Sequence, residues 1–123
     1  MPDRPAITDS ENSLPMNLEL LRSISEGDTG TEKELVAIFV EESDANLKGL
    51  QENCRDGTHA QWVEFAHTMK GSASNMGADA LSQLCKQAQH SEDSADVRSV
   101  YLRKIEKEYL MVKDYLKKLG LFA

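Results

Sequence analysis

A histidine, a lysine and a glycine stand close together near the middle of the chain, as His67, Lys70 and Gly71. Residues three and four apart lie on one side of a helix, so these three would share a face. A neutral imidazole is a nucleophile near neutral pH, and a cation one turn away would offset the charge of an anion attached to the ring. A glycine inside a helix costs about 1 kcal/mol relative to alanine, but it clears space beside the imidazole. This spacing favours the transfer of an anionic group, most simply a phosphoryl group, to His67.

The neighbouring residues predict that His67 points away from the core. Apolar residues recur in steps of three and four, which is the helical period, and they predict the buried side of the helix. They are Trp62, Phe65, Met69, Ala73 and Met76. His67 lies about 160° from Met69 around the helix axis, and we expect its ring to be exposed midway along the helix. The outward face then also holds Ala60, Val63, Glu64, Lys70, Gly71 and Ser74, which we expect to form the docking face.

Turn and cap residues set the limits of the preceding helices. A short helix over residues 18–24 is ended by Gly27–Gly30. Thr31 and Glu34 form a capping-box pattern, which predicts the start of the second helix. Gly57 predicts a left-handed C-terminal cap for that helix. Its apolar seam consists of Val36, Val40, Ser43, Leu47, Leu50 and Cys54.

The helices that follow are joined by short connections. Gly77 is expected to close the helix of His67, and the short turn there requires the fourth helix to run antiparallel to the third. That arrangement places Gln89 within a turn of the level of His67. No stretch has the convincing period-two alternation of a strand. The predicted fold is all-α, an antiparallel up-down-up-down four-helix bundle with a short extra N-terminal helix.

The sequence around His67 resembles the signature of histidine-containing phosphotransfer (HPt) domains. The family pattern is a histidine, an apolar residue two positions on, Lys-Gly, small residues, an apolar residue and a second glycine. The matching residues are His67, Met69, Lys70, Gly71, Ser72, Ala73, Met76 and Gly77. Many members carry a glutamine on the next helix beside the phosphorylated histidine, and Gln89 falls at that spacing. The resemblance covers roughly residues 16–120.

The resemblance implies a function and a set of partners. A phospho-aspartate on the receiver domain of a hybrid sensor kinase would phosphorylate His67 at Nε2, and a response regulator would then take the phosphoryl group. Lys70 would offset its charge, and Gln89 would hydrogen-bond the group or orient the ring. Gly71 and Ser74 would let the receiver close over the imidazole. The protein itself would need no cofactor, since magnesium belongs to the receiver, and we expect a monomer.

Composition limits the other possibilities. The 123 residues fit one domain, with residues 1–15, which hold all three prolines, as a flexible tail and residues 16–123 as the bundle. The net charge of −7, without a basic cluster, argues against nucleic-acid and anionic membrane partners. Neither a membrane span nor a signal peptide is evident, so we expect a cytoplasmic protein. No phosphate-binding glycine loop or magnesium-holding acidic set is present, which predicts a phosphoryl carrier rather than an enzyme.

The other residues that could do chemistry are predicted to be structural. Cys54 and Cys85 lack metal-ligand companions and are expected to be small buried apolar residues. His59 and His90 are interpreted as plain surface residues. The lysines of the last helix alternate with acidic residues, which predicts a solvated face rather than a binding patch.

Two alternative functions fit the same fold. A docking or inhibitory bundle would bind a kinase or receiver without being phosphorylated, and it would not need Lys70 and Gly71 beside His67. The phosphoacceptor domain of a chemotaxis-type kinase would belong to a longer chain. This chain starts at Met1 and ends soon after its last helix, which we interpret as favouring a free-standing shuttle.

Overall fold

The fold is built from helices, and the computed structural model describes residues 14–123. The five helices are α1 (Glu19–Ser25), α2 (Thr29–Asn53), α3 (His59–Asn75), α4 (Asp79–Gln89) and α5 (Ala95–Lys118). Residues 14–123 contain no strand. The predicted bundle of four helices with a short N-terminal helix is confirmed. The predicted tail falls, apart from its last two residues, outside the described part of the chain.

The core lies between the four long helices. Trp62, Met69 and Ala73 of the predicted stripe are fully buried, and so is Ala66. Phe65 of the same stripe is half-buried. Its ring lies against the backbone of α2, where a Cβ on Gly49 would come within 2.5–2.6 Å of the ring atoms. Gly49 therefore allows α2 and α3 to approach closely.

The start of α2 differs from the prediction. Asp28, not Thr31, is the N-cap, and its Oδ2 accepts hydrogen bonds from the backbone N–H of Thr31 at 2.9 Å and from Thr31 Oγ1 at 2.6 Å. The capping-box interpretation of Thr31 and Glu34 was wrong. The backbone N–H of Thr31, which Glu34 would accept in a capping box, donates to the carboxylate of Asp28 instead. Gly30 consequently lies inside the first turn of α2 rather than in the break.

The end of α2 differs as well. The prediction of a left-handed cap at Gly57 was wrong, since this residue is not among the described glycines with positive φ. Gly57 is needed for space instead, because a Cβ there would collide with the side chain of Asn53. Asn53 Oδ1 accepts a hydrogen bond from the backbone N–H of Thr58 at 3.2 Å, and Thr58 Oγ1 in turn caps α3 by accepting from Gln61 N–H at 3.1 Å.

Gly77 closes α3 with the geometry that was predicted. Its φ is +74°, its N–H donates to the carbonyl of Ser74, and the N–H of Ala78 donates to the carbonyl of Ala73, which is a Schellman cap. The chain before α1 packs on this turn, where Asn17 N–H donates to the carbonyl of Gly77 at 2.8 Å. The turn at the end of α3 thus also holds the N-terminal part of the fold.

Two hydrogen bonds set the register of the antiparallel helices α3 and α4. The indole N–H of Trp62 donates to the carbonyl of Ala88 at 3.0 Å. Nearer the turn, Ser82 Oγ donates to the carbonyl of Lys70 at 3.2 Å. His67 lies between these two contacts along α3, so its height beside α4 is fixed from both sides.

Candidate functional site

His67 lies on the solvent side of α3, as predicted. Its ring is exposed, whereas Ala66 and Met69 on either side of it in sequence are fully buried. The predicted outward face is also outward in the structure. Ala60, Glu64, Gly71 and Ser74 are exposed, and Val63 and Lys70 are half-buried. The helix thus presents one imidazole with a lysine and a glycine one turn away, and nothing in the described chain covers it.

Gly71 leaves open space beside His67. A Cβ built at this position would meet no atom within 4 Å, and the residue is not among those with positive φ. Neither packing nor backbone conformation within the described chain therefore requires a glycine here. The helix bears a cost of about 1 kcal/mol for it.

Lys70 is positioned by α4 and makes no ion pair with the residues that the structure describes. Its backbone carbonyl accepts the hydrogen bond from Ser82, and its side chain is half-buried. Within residues 14–123 no carboxylate lies within 4.0 Å of its ammonium. The charge is therefore available to an anion that arrives on the same face as His67.

Gln89 is the last residue of α4 and follows Ala88, which is tied to Trp62. It is half-buried, and its Oε1 is one of two buried side-chain oxygens in the described chain that lack a hydrogen-bond partner. No hydrogen bond joins it to His67 within residues 14–123. A buried amide oxygen without a hydrogen-bond partner is uncommon in folded proteins.

An apolar groove beside the second half of α3 was not predicted from the sequence. It has a volume of about 240 Å³ and lies between α1, α2 and the second half of α3. Its lining residues are Leu21, Ile24, Leu35, Ile38, Phe39, Glu42, Ser72, Asn75 and Met76. Ile24 and Ile38 are 58% and 54% exposed, which is a high fraction for isoleucine. The sequence signal was present, since Ile38 is a large apolar residue outside the buried seam of α2.

His59 is not a plain surface residue, so that interpretation was wrong. Its Nδ1 accepts a hydrogen bond from the guanidinium of Arg98 at 3.0 Å. Arg98 is only 6% exposed, and it also donates to the carbonyl of Cys54 at 2.8 Å and to Asp93 Oδ1 at 2.8 Å. This cluster joins the α2–α3 connection to the α4–α5 connection, which sequence spacing could not show because the partners are 39 and 44 residues apart. His90 is exposed, as predicted.

The two cysteines are free and buried, as predicted. Burial raises the pKa of the Cys85 thiol from 9.0 to about 12, so it stays protonated at neutral pH and is a poor nucleophile. In the part of the chain that the structure describes, no three His, Cys, Asp or Glu side chains cluster so that they could hold a metal ion. None of the helices between residues 14 and 123 is long and apolar enough to cross a bilayer.

Comparison with known proteins identifies the family. A family model described as the Hpt domain matches residues 34–117, which include the whole of α3 and α4. The chain is also similar to the crystal structure of histidine-containing phosphotransfer protein B (HptB) from Pseudomonas aeruginosa PAO1. The two share 25% sequence identity with a TM-score of 0.76, over 86% of this chain and 94% of that chain. No curated protein matched the chain.

The chain therefore belongs to the Hpt domain family, and the resemblance stated from the sequence is confirmed. Membership gives it a histidine phosphotransfer role in a phosphorelay, in which proteins of this family interact with receiver domains.

Proposed function

We propose that His67 is the phosphoacceptor of a relay that runs from the receiver domain of a hybrid sensor kinase to a response regulator. The observation that carries this proposal is the exposed ring of His67 beside the uncovered position of Gly71. His59 is hydrogen-bonded to Arg98, and His90 is the C-cap of α4 with no lysine or glycine one turn on, so neither has the same setting.

The reaction is a displacement at phosphorus. Nε2 of the neutral His67 imidazole attacks the phosphoryl group of the receiver's aspartyl phosphate in line, and an N–P bond forms as the P–O bond to the aspartate breaks. The aspartate leaves as a carboxylate. The phosphorylated ring is then an imidazolium, which becomes neutral by releasing the Nδ1 proton to solvent water. Transfer to the second receiver reverses these steps. The receiver's magnesium supplies charge neutralisation at the phosphoryl oxygens.

Three side chains on this chain serve that displacement. The ammonium of Lys70 attracts the phosphoryl oxygens from the same face of α3. Gln89 provides an amide whose hydrogen-bonding capacity is not used within the described chain, and we assign it to the phosphoryl group or the ring. Gly71 and Ser74 leave room for the receiver's loops.

The receiver is expected to dock on two adjacent surfaces. Ala60, Val63 and Glu64 flank His67 toward the start of α3. The apolar groove lined by Ile24 and Ile38 lies farther along α3, beside Ser72 and Asn75. A modest apolar area with few charges fits a partner that must bind, exchange a phosphoryl group and leave again.

The experiment incubates the protein with a phosphorylated receiver and measures the label on this chain. We expect one phosphoryl group, which is lost in acid and kept in alkali because it is a phosphoramidate. His67→Gln should abolish labelling, whereas His90→Gln, which changes another exposed histidine, should leave it intact. Lys70→Ala should slow transfer about fivefold, since a partly exposed charge near an anion contributes about 1 kcal/mol. Lys86→Ala, an exposed lysine on α4, is the matched control.

The same assay distinguishes the alternatives. A docking or inhibitory bundle would bind the receiver with equal affinity before and after His67→Gln and would acquire no label. A label that survives His67→Gln would overturn the assignment of the phosphoacceptor. A phosphoacceptor domain of a chemotaxis-type kinase would be labelled by an ATP-binding kinase domain, not by a phosphorylated receiver.

A further inference from the structure

Charge is distributed unevenly between α5 and the rest of the chain. α5 contains seven of the 14 basic residues and four of the 21 acidic ones, which gives the helix a net charge of +3 and leaves −10 on the remaining residues. The side of α5 that packs on the bundle carries Arg98, Ile105, Tyr109, Val112 and Leu116. The excess of positive charge therefore lies mostly on the opposite side, in solvent.

The middle of that outward side combines basic and large apolar residues. We call it the α5 strip, and it consists of Val100, Arg103, Lys104, Lys107, Leu110 and Met111. All six are exposed, and Leu110 is 55% exposed. The strip is about 16 Å long, from the rise of 1.5 Å per residue.

From the sequence, the lysines of this helix were interpreted as a solvated face rather than a binding patch, because acidic residues alternate with them. In the structure, the carboxylates of α5 do not neutralise the strip, so we replace that interpretation here. Glu106 is half-buried at its side, where it accepts a hydrogen bond from Gln51 Nε2 at 2.9 Å, and Glu108 is half-buried too. The exposed Asp96 and Asp114 lie beyond its two ends. Within residues 14–123, no carboxylate lies within 4.0 Å of the three cations of the strip.

The strip lies away from the proposed site of phosphotransfer. α3 packs on α2 and α4, and α5 packs on α4 and α2, so α3 and α5 occupy diagonal corners of the bundle. The outward sides of α3, with His67, and of α5 consequently face in opposite directions. A molecule bound to the α5 strip would leave His67 open to a receiver.

We propose that the α5 strip docks an acidic segment of another protein, one with carboxylates and apolar side chains at matching positions, and holds the carrier while receivers bind at His67. Complementary charge favours such a segment, and the exposed Leu110 and Met111 supply the apolar contact. A second copy related by a two-fold axis would place cations opposite cations. An anionic bilayer would repel the −10 of the remaining chain, and the strip interleaves its apolar and basic residues instead of separating them into two faces.

The test places a photo-crosslinking amino acid at position 110 of the full-length protein in its own host. The matched control is the same amino acid at the exposed Ala45 of α2. Mass spectrometry maps the crosslinked peptide. We expect an adduct at position 110, and not at 45, with a segment of another protein that is net acidic and contains apolar residues. Reversing the charges by R103E/K104E/K107E should reduce the adduct about tenfold or more.

Further variants keep the outcome decisive. Leu110→Ser should weaken binding of the identified segment without changing charge, and thermal melting checks that each variant folds. Phosphotransfer from an isolated receiver should be unchanged by R103E/K104E/K107E. The adduct at position 110 should still form in His67→Gln. Docking at the α5 strip is therefore tested independently of the assignment of His67 as the phosphoacceptor. Adducts formed only with a second copy, with phospholipid or with residues 1–13 of the same chain would overturn the proposal. So would an adduct no stronger than that at position 45, or a loss of phosphotransfer on charge reversal.

Discussion

The backbones of Asn17 and Gly77 meet through one hydrogen bond and one steric contact. The N–H of Asn17 donates to the carbonyl of Gly77 at 2.8 Å, and the carbonyl oxygen of Asn17 occupies the place where a Cβ of residue 77 would stand. The left-handed φ of +74° at residue 77 disfavours a side chain as well. Gly77 therefore meets two separate requirements, one from the turn between α3 and α4 and one from the chain that leads into α1.

Gly77→Ala should destabilise the protein strongly. The strain of a positive φ and the collision with the Asn17 carbonyl together should lower the free energy of unfolding by about 2–4 kcal/mol. Gly120→Ala is the matched control, because Gly120 has a φ of +77° and no atom within 4 Å of its Cβ position. It should cost only about 1 kcal/mol. Urea unfolding of the two variants measures the difference in stability. Equal losses of stability would show that the contact with Asn17 contributes nothing to the cost of Gly77→Ala.

Gly71→Gln should separate folding from phosphotransfer. The position is open, so the variant should melt at or above the temperature of the unchanged protein. A long side chain beside His67 should slow transfer about tenfold to a hundredfold, because small misplacements of reacting groups have effects of that size. Gly71→Ala, which adds only a methyl group, should stabilise the helix by about 0.4–1 kcal/mol and transfer faster than Gly71→Gln. Wild-type transfer by Gly71→Gln would mean that open space is not the reason for this glycine.

Arg98→Met should destabilise the end of the bundle at which α3 begins. It removes the charged donor of the Cys54 carbonyl and the bond to Asp93, at an expected cost of about 2–3 kcal/mol. Arg103→Met on the exposed side of the same helix should change the free energy of unfolding by less than about 0.5 kcal/mol. Denaturant unfolding measures the stability of the two variants. A small effect of Arg98→Met would show that water replaces the guanidinium without loss of stability.

Stability should fall at alkaline pH. The pKa of Cys85 is raised to about 12 by burial, so above pH 9 the unfolded chain releases the thiol proton while the folded chain retains it. Each pH unit between those values then removes up to about 1.4 kcal/mol from the free energy of unfolding. Burial and the hydrogen bond to Asp44 raise the pKa of Tyr109 too, which adds to the loss at higher pH. The free energy of unfolding of Cys85→Ala should fall less steeply with pH across the same range. An identical dependence on pH would contradict the assignment of the loss to the Cys85 thiol.

Local periodicity was sufficient to predict most of the fold. The steps of three and four along α2 and α3 identify the sides that are buried, and His67 is exposed because it lies opposite Trp62 and Met69. The two wrong caps have a common physical origin. Asp28 and Thr31 both have side chains that can satisfy a helix N-terminus, and Gly57 suits either a left-handed turn or a tight approach. The choice depends on atoms that local sequence does not place.

The parts of the site that were missed depend on contacts between distant segments. Arg98 reaches Cys54 and His59 only because the bundle brings two connections to the same end. The apolar groove exists only because α1 packs beside α2, so that Ile24 of α1 and Ile38 of α2 line the same open space. Periodicity indicates which side of a helix is buried, but it does not indicate which helix lies beside it.

α1 makes the apolar groove beside the second half of α3 depend on a conformational equilibrium. The helix has seven residues and would not be stable alone. It is held by the Asn17–Gly77 contact, by the burial of Leu21, and by the bond from Ser25 Oγ to Glu32 Oε2 at 3.3 Å. The apparent dissociation constant of any partner that uses the groove equals the intrinsic constant divided by the fraction of molecules in which α1 is docked. Substitutions that loosen α1 will therefore weaken that partner without altering a residue that it touches.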